Sequence, residues 1–361
     1  MKNVMIGANR YVRGSGALAL LGELSAPLGR KALVIGGKTA LSKTLDAITH
    51  SLQSQGIGLS VAVFQTEVCK EQAYALREAF LREKADFVIG VGGGKALDLS
   101  KWVADLSHAP CVTVPTCAST CACMVSLIVT YHASGLADQG LYAANSPWLC
   151  LADTAVLAAA PQRLLFSGIA DTLSKWPETR YAMREAPAGV FNFLTASLGR
   201  NIYDTLLAKG PSALSAPGDG PEGSALEEVL DIIFFMSALV GNTAGDAYRL
   251  AIAHSLHDGL IAVRPQVIHS FYHGEKVGYG TLVQLALLEP EVGAEHLQSV
   301  YSLLHSWGLP VSLRDFGLTD SPADVNALVE ATRGPKIRQG PSHTSLEALE
   351  RAIRRIEALR P

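Results

Sequence analysis

The sequence lacks features that mark several large protein classes. Its 361 residues carry 30 Lys and Arg against 33 Asp and Glu, and no run of basic residues stands out. Proteins that bind nucleic acids or anionic membranes are expected to carry such a basic patch. No uninterrupted apolar run reaches the roughly 18 residues of a membrane span, and the first residues lack the apolar core of a secretory signal. We therefore expect a cytoplasmic protein that acts on a small molecule, without a nucleic-acid or membrane partner.

Cysteine is scarce as well, with six residues in the chain. Three of them, Cys117, Cys121 and Cys123, lie close together, but they do not form the paired CxxC motifs of a structural zinc site. Small residues packed in a turn and a helix start are the alternative interpretation of this group. In a reducing compartment, we expect the thiols to be reduced.

Apolar residues are abundant instead, at 48% of the chain, and 361 residues exceed the usual size of one core. Four apolar segments (31–37, 58–65, 86–94 and 109–116) alternate with stretches of helical periodicity. This alternation predicts βαβ units and a parallel sheet. After about residue 155 only helical patterns remain. The sequence thus predicts an α/β domain over residues 1–156 and an all-α domain over residues 157–361.

A glycine-rich turn follows the third predicted strand and opens a helical segment, with the residues Gly92, Gly93, Gly94, Lys95 and Asp98. Consecutive glycines let the backbone approach a pyrophosphate, and the following helix offers free N–H groups. The spacing differs from the Rossmann GxGxxG, and a purely structural tight turn is an equal alternative. After the next predicted strand, Thr116 and Ser119 supply hydroxyls, for which helix capping is the alternative role.

A candidate metal site combines one carboxylate with two imidazoles. Asp171 lies in a helical segment, and His254 and His257 share a helix face at i, i+3 spacing. His273 follows after a turn. A set made of Asp171, His254 and His273 leaves coordination positions open, as a catalytic ion requires. The alternative is that each histidine is an ordinary buried or surface residue.

Five motifs stand in the chain in a fixed order: GVGGGKALD, PTCAST, GIADTLSKW, AHSLHDGL and HGEKVGYG. In order and spacing they resemble the glycerol dehydrogenase branch of the iron-containing alcohol dehydrogenase family. The resemblance implies a dehydroquinate synthase-like fold, in which a Rossmann-like α/β domain binds NAD(P)(H) and an all-α domain binds the metal. It also implies a metal-dependent oxidoreductase that interconverts an alcohol and a carbonyl compound, and a homo-oligomer of two or more subunits.

The resemblance assigns roles to individual residues. Gly94 and Lys95 match pyrophosphate contacts, and Asp171, His254 and His273 match the ligands of one divalent metal. His257 resembles a second, non-ligating histidine that is a candidate proton relay. Further cofactor contacts match Thr116 and Ser119, and the nicotinamide side matches Val125, Leu127 and Tyr131.

Three departures from the branch modify these implications. Cys121 replaces an aspartate that contacts the polyol in glycerol dehydrogenases, so glycerol loses a hydroxyl partner. Gly37 and Lys38 stand where an acid would bind the adenosine ribose, which predicts NADP(H) use at least as much as NAD(H). Lys175 stands where iron-type relatives have a histidine ligand, which suits zinc as well as iron. Its ammonium can meet a substrate carboxylate or, equally, pair with Glu178.

These departures favour reduction of a 2-oxo acid or another non-glycerol carbonyl compound. Glycerol or another polyol is the first alternative substrate. The second alternative is a dehydroquinate-synthase-like cyclase that uses NAD transiently, although no basic cluster for a phosphate stands beside the metal motifs. A non-catalytic descendant is a third reading, against which the intact Asp171, His254 and His273 argue.

Overall fold

The computed structural model describes residues 4–64, 67–132, 137–213, 225–332 and 344–360. Contacts divide the chain into two compact units, one made of Met1–Pro161 with Leu214–Ala238 and the other of Gln162–Ala213 with Leu239–Pro361. Among the described residues, no helix has both the length and the apolar character needed to cross a bilayer. The predicted domain ranges stay a prediction, because packing contacts do not test whether each range folds alone.

The first unit is built on a six-stranded sheet in which every pairing is parallel, in the order β1-β8-β5-β4-β2-β3. A separate antiparallel hairpin is formed by β6 and β7. The strands are β1 (Arg10–Gly14), β2 (Lys31–Gly37), β3 (Gly58–Phe64), β4 (Phe87–Gly92), β5 (Cys111–Pro115), β6 (Leu127–Tyr131), β7 (Ala137–Tyr142) and β8 (Leu149–Asp153). The predicted parallel sheet is therefore confirmed, and four of its strands begin and end within two residues of the predicted segments.

Helices cover both faces of this sheet. Because side chains alternate along a strand, Ala32 and Val34 of β2 pack into one apolar cluster, and Leu33 and Ile35 pack into another. Strands buried on both faces are continuous apolar segments, which explains why this part of the sequence was recognisable. The helices of this unit are α1 (Leu21–Ser25), α2 (Lys38–Ser54), α3 (Lys70–Arg82), α4 (Gly94–Leu106), α5 (Thr154–Ala158) and α9 (Ala225–Asp231).

The segment around α9 packs with the first unit, although it lies within the predicted second range. Tyr11 Oη and Arg13 Nε of β1 each donate to the Asp231 carboxylate, at 3.0 and 2.7 Å. The Tyr11 ring also stacks on Phe235. Such pairings join residues more than 200 positions apart, so local sequence patterns do not predict them.

All regular elements described in the second unit are helices, as predicted. They are α6 (Gln162–Leu173), α7 (Lys175–Ala182), α8 (Val190–Lys209), α10 (Ser237–Ala244), α11 (Ile252–Val263), α12 (Val267–Ser270), α13 (His273–Leu287), α14 (Glu289–Val292), α15 (Ala294–Ser306), α16 (Pro322–Ala331) and α17 (Leu346–Glu357), with α10 starting in the first unit. Helix α13 is buried along most of its length and packs against α6, α11 and α17.

Candidate active-site residues

The glycine turns at the ends of β2 and β4 lie side by side. From β2 the chain moves outward to β3 and then returns to the other side of β2 as β4, so the order of strands reverses between β2 and β4. In open α/β sheets, ligands bind at the carboxyl ends of the strands at such a reversal. Gly37 and Lys38 end β2 and begin α2, and Gly92 to Gly94 end β4 and begin α4. The structure therefore brings the two predicted cofactor segments together.

The turn after β4 has the close packing that requires glycine. Gly92 has a φ of 145°, which side-chain-bearing residues rarely adopt. A Cβ on Gly93 would lie 3.1 Å from Cys117 Sγ, and one on Gly94 would lie 3.2 Å from Thr120 Oγ1. The Thr116 N–H also donates to the Gly92 carbonyl at 3.1 Å. A side chain would fill this cradle at the α4 N-terminus, so its residues fit a phosphate-bearing cofactor.

Lys95 contacts two side chains, Glu67 and Tyr131. Its ammonium forms an ion pair with Glu67 at 2.6 Å and lies over the Tyr131 ring, 4.6 Å from the centroid. No sequence pattern indicated Glu67, because it lies 28 residues away in the connection before α3. Lys95 and Tyr131, assigned to the pyrophosphate and to the nicotinamide, are thus in direct contact.

The remaining predicted cofactor residues lie in helix α4 and in the segment that runs from β5 into β6. The hydroxyl of Ser119 lies 3.6 Å from Cys117 Sγ, and Val125 and Leu127 lead into β6. Asp98 is buried, with its carboxylate 2.8 Å from the Lys101 ammonium and accepting from the Val129 N–H. Its predicted contact with the cofactor stays a prediction. Cys121 lies partly buried in the turn before β6, and none of the six cysteines, all of them described, is in a disulfide.

In the second unit, Asp171, His254 and His273 converge from three helices. Asp171 Oδ1 lies 3.4 Å from Nε2 of His254 and 3.4 Å from Nε2 of His273, and the three ligand atoms lie within 4.8 Å of one another. Ligand bonds of ~2.0–2.1 Å in a tetrahedron put ligand atoms about 3.4 Å apart. Asp171 Oδ1 is buried and has no hydrogen bond of acceptable geometry. An orphaned oxygen at this spacing fits a divalent cation bound between the three residues.

Two glycines of α13 allow this convergence. A Cβ on Gly274 would lie 1.8 Å from the Ser167 carbonyl oxygen of α6, and one on Gly280 would lie 2.3 Å from the Ala253 carbonyl oxygen of α11. No side chain can occupy either position without moving a backbone. Close contact of α13 with α6 and α11 therefore brings His273 beside the helices of the other two ligands.

Glu178, which the sequence indicates only as a partner of Lys175, contacts and positions His254. This carboxylate of α7 is fully buried and accepts from Nδ1 of His254 at 2.7 Å. It also accepts from the backbone N–H groups of His254 and Ala251, at 3.0 and 2.7 Å, and so caps α11. Because a carboxylate only accepts, the imidazole proton lies on Nδ1 and the Nε2 lone pair faces the metal site.

His257 supports the second imidazole in the same way. His273 Nδ1 lies 3.0 Å from His257 Nε2, and His257 Nδ1 lies 2.9 Å from Asp258 Oδ1. Burial and the nearby His273 lower the pKa of His257 to about 3, so the ring is neutral and accepts at Nε2. His257 Nδ1 then donates to Asp258, and His273 Nδ1 donates to His257 Nε2. This leaves Nε2 of His273 without a proton and available to a metal ion. The proposed proton relay through His257 stays a prediction.

Lys175 places a positive charge among these groups. Its side chain is only 8% exposed, and within the described part of the chain its ammonium forms no hydrogen bond or ion pair. Burial raises the pKa of Asp171, but the Lys175 charge and the two imidazoles outweigh burial and hold that pKa well below its usual value. The predicted pairing with Glu178 is electrostatic and not a bonded contact.

Comparison with known proteins gives a consistent result. Residues 8–154 match the model of the iron-containing alcohol dehydrogenases. The chain is 36% identical to a glycerol dehydrogenase of Pseudomonas putida over 340 residues, 93% of this chain and 91% of that protein. It is 33% identical to hydroxycarboxylate dehydrogenase A of Escherichia coli K12, over 81% of this chain and 80% of that one. It superposes on a probable glycerol dehydrogenase from Sinorhizobium meliloti with a TM-score of 0.82, at 30% identity and 99% coverage of both chains.

Proposed function

The chain belongs to the iron-containing alcohol dehydrogenase family and is an alcohol oxidoreductase with that family's fold, and we propose that it oxidises a small polyol such as glycerol. The metal-dependent chemistry of this proposal rests above all on the three-residue site around the orphaned Asp171 oxygen. It reverses the order of the two substrates expected from the sequence, because similar proteins are named as glycerol dehydrogenases. Cytoplasmic location and a homo-oligomeric state stay predictions.

The residues of the second unit divide the work at the metal site. Asp171, His254 and His273 would hold one divalent cation, and Glu178 and His257 keep the two imidazoles in the ligating tautomer. Such an ion supplies Lewis-acid polarisation of the alcohol or carbonyl oxygen. One carboxylate and two imidazoles suit zinc and ferrous iron alike, so we propose either metal.

The residues of the first unit would bind the nicotinamide cofactor, which carries the hydride. The glycine turn and the α4 N-terminus offer N–H groups to the pyrophosphate. At the end of β2 there is no acid to repel a 2′-phosphate, so we propose that NADP(H) is accepted as well as NAD(H).

A single variant tests this cofactor proposal. Gly37 has an ordinary φ of −71°, and a Cβ there would meet nothing within 4 Å, so Gly37→Asp should fold normally. The new carboxylate should lower kcat/KM for NADP by about tenfold or more relative to NAD, through like-charge repulsion. Equal loss for both cofactors, or no loss, would contradict the assignment of this strand end.

A 2-hydroxy acid is the second candidate substrate, and Lys175 is the observation that favours it. A buried ammonium beside the metal residues can receive a substrate carboxylate, and one of the similar proteins is named as a hydroxycarboxylate dehydrogenase. A charge-assisted hydrogen bond contributes about 1.5–3 kcal/mol, so Lys175→Met should reduce kcat/KM for 2-oxo acids roughly 10- to 150-fold. Loss of the Lys175 charge also raises the pKa of Asp171, so activity on glycerol should fall too, but by a smaller factor than activity on 2-oxo acids.

The deciding experiment compares reduced-nicotinamide formation or loss with polyols, aldehydes and 2-oxo acids, for the metal-loaded wild type and for Cys121→Asp. If polyols are the substrates, the wild type oxidises glycerol or a diol, and Cys121→Asp raises that activity by restoring a hydroxyl partner. Activity restricted to 2-oxo acids and lost in Lys175→Met would replace the polyol by the hydroxy acid. Absence of net cofactor turnover with every substrate would contradict both.

A further inference from the structure

Helix α4 carries a buried ion pair that the chemistry above does not use. The Lys101 ammonium lies 2.8 Å from Asp98 Oδ1, one turn along the helix, and the two side chains are 1% and 7% exposed. Burial raises the pKa of Asp98, which shows that desolvation outweighs the attraction of its partner. A buried pair of this kind is weak evidence for stability, since apolar residues of similar volume often do as well. Its contacts therefore need another explanation.

Those contacts all reach one edge of strand β6 and of the residues just before it. The Lys101 ammonium donates to the carbonyl oxygens of Val125, at 3.0 Å, and Leu127. The Asp98 carboxylate accepts from the Val129 N–H at 3.0 Å. Residues 125, 127 and 129 alternate along the chain, so their backbone groups point to the same edge.

The opposite edge of β6 pairs with β7, as in Ile128 opposite Leu141. Among the described residues this hairpin has no third strand. On the free edge of β6 the two charged side chains of α4 bond the backbone of residues 125, 127 and 129, and the Tyr131 N–H donates to the Val68 carbonyl at 2.9 Å. An unpaired backbone group buried here would cost free energy, and the ion pair supplies partners for three such groups. The hairpin is thereby attached to α4 at three points.

Helix α4 also begins at the glycine turn. Gly94 and Lys95 form its first residues, and Lys101 follows six positions later, about 9 Å along a rigid helix. Tyr131, the last residue of β6, lies beside this first turn of α4, because its ring is under the Lys95 ammonium. One helix therefore carries the turn assigned to the pyrophosphate and holds the strand assigned to the nicotinamide.

We propose that Asp98 and Lys101 are positioning residues that hold β6 at a set distance from the glycine turn, so that the nicotinamide half of the cofactor is bound in register with the pyrophosphate. The inference rests on the proposed function, which assigns Val125 and Leu127 to the nicotinamide. It gives Asp98 a role different from the direct cofactor contact expected from the sequence. Neither residue touches the reacting atoms.

The test uses the double variant Asp98→Asn/Lys101→Met in the full-length, metal-loaded protein. This variant removes both charges together and keeps side-chain volume, so it leaves no buried ion without a partner. Isothermal titration measures Kd for NADH, NADPH and adenosine diphosphate, which has the adenosine and both phosphates but no nicotinamide. We expect the dinucleotides to bind at least about tenfold more weakly, because contacts to the nicotinamide half are lost, with the Kd of adenosine diphosphate unchanged.

The matched control removes an ion pair at the other end of the strands, Lys31→Met/Glu83→Gln, whose partners lie 3.2 Å apart in the same unit. It should leave all three Kd values unchanged. Equal weakening of the dinucleotides and of adenosine diphosphate would show a merely structural role and overturn the inference, as would unchanged binding of all three. A wild type that binds adenosine diphosphate but neither dinucleotide would contradict the proposed function itself.

Discussion

Replacing Glu178 by glutamine is the sharpest test of how the metal site is built. The amide keeps the shape of the carboxylate and one acceptor oxygen. In the wild type one Glu178 oxygen accepts from the N–H groups of Ala251 and His254, at 2.7 and 3.0 Å. If the amide oxygen keeps these two hydrogen bonds, the amide NH₂ group faces His254 Nδ1. The ring must then carry its proton on Nε2, the atom that faces Asp171. A protonated nitrogen cannot ligate, so metal binding would require the unfavourable tautomer.

The size of the effect follows from the bond that is lost. A hydrogen bond to a charged group contributes about 1.5–3 kcal/mol, which corresponds to a roughly 10- to 150-fold change in an equilibrium constant. Loss of an outer partner of a metal-ligating histidine has a similar cost, about 10- to 100-fold in affinity. We therefore expect Glu178→Gln to weaken zinc binding by about 10- to 100-fold, in a protein that still folds.

The assay is competition for zinc between the apoprotein and a chromophoric chelator of known affinity. Glu291→Gln is the matched control, because this glutamate of the same unit pairs with Arg180 and Arg184 and not with a metal residue. Circular dichroism checks that both variants retain their helices. Zinc affinity of Glu178→Gln within threefold of the control would refute the tautomer argument.

Three further predictions concern the same unit. Gly280→Ala should destabilise the protein by about 1–3 kcal/mol in denaturant unfolding and weaken metal binding. The control Gly241→Ala, with nothing within 4 Å of its Cβ, should be neutral or stabilising. Equal effects of the two variants would contradict the close-packing argument. Burial raises the pKa of Glu357, so its stabilising contribution is complete below about pH 4.5 and is lost as pH rises. The Tm of Glu357→Gln should therefore rise relative to that of the wild type between about pH 4 and about pH 7. A difference in Tm that stays constant over this range would refute the prediction. Zinc at 100 times its Kd should stabilise the wild type by about 2.7 kcal/mol, and Asp171→Asn should abolish this shift; a shift that persists would remove Asp171 from the site.

Local patterns were sufficient for much of the fold, and together with a family resemblance they indicated candidate metal ligands. The strands around β2 and β4 are continuous apolar segments ending in glycine, and such segments are recognisable because a parallel sheet is buried on both faces. The three ligands, Asp171, His254 and His273, carry the residue types that a catalytic ion requires, and the resemblance to a family joined them. The structure brings these three side chains together.

Strands β1 and β8 were not predicted; they pair with each other, Arg10 opposite Leu149, and no local pattern indicates a pairing of such distant segments. The return of residues around Asp231 to the first unit was also unforeseen, since it depends on Tyr11 and Arg13 far away in the chain. Both are consequences of packing between distant segments and not of local preference.

The roles of charged residues were decided by tertiary structure alone. Nothing in the local sequence distinguishes three of these residues from other charged residues of helices: Glu178, Asp98 and Lys175. From the sequence alone, each could pair with several oppositely charged or polar groups. Glu178 contacts His254 because the N-terminus of α11 lies against it, and Asp98 faces β6 because α4 packs beside that strand. A carboxylate acts through whichever donors surround it, and helices and strands distant in sequence supply those donors. The sequence therefore determined which residue types are available for the proposed chemistry, and the packing of helices and strands decided what each charge contacts.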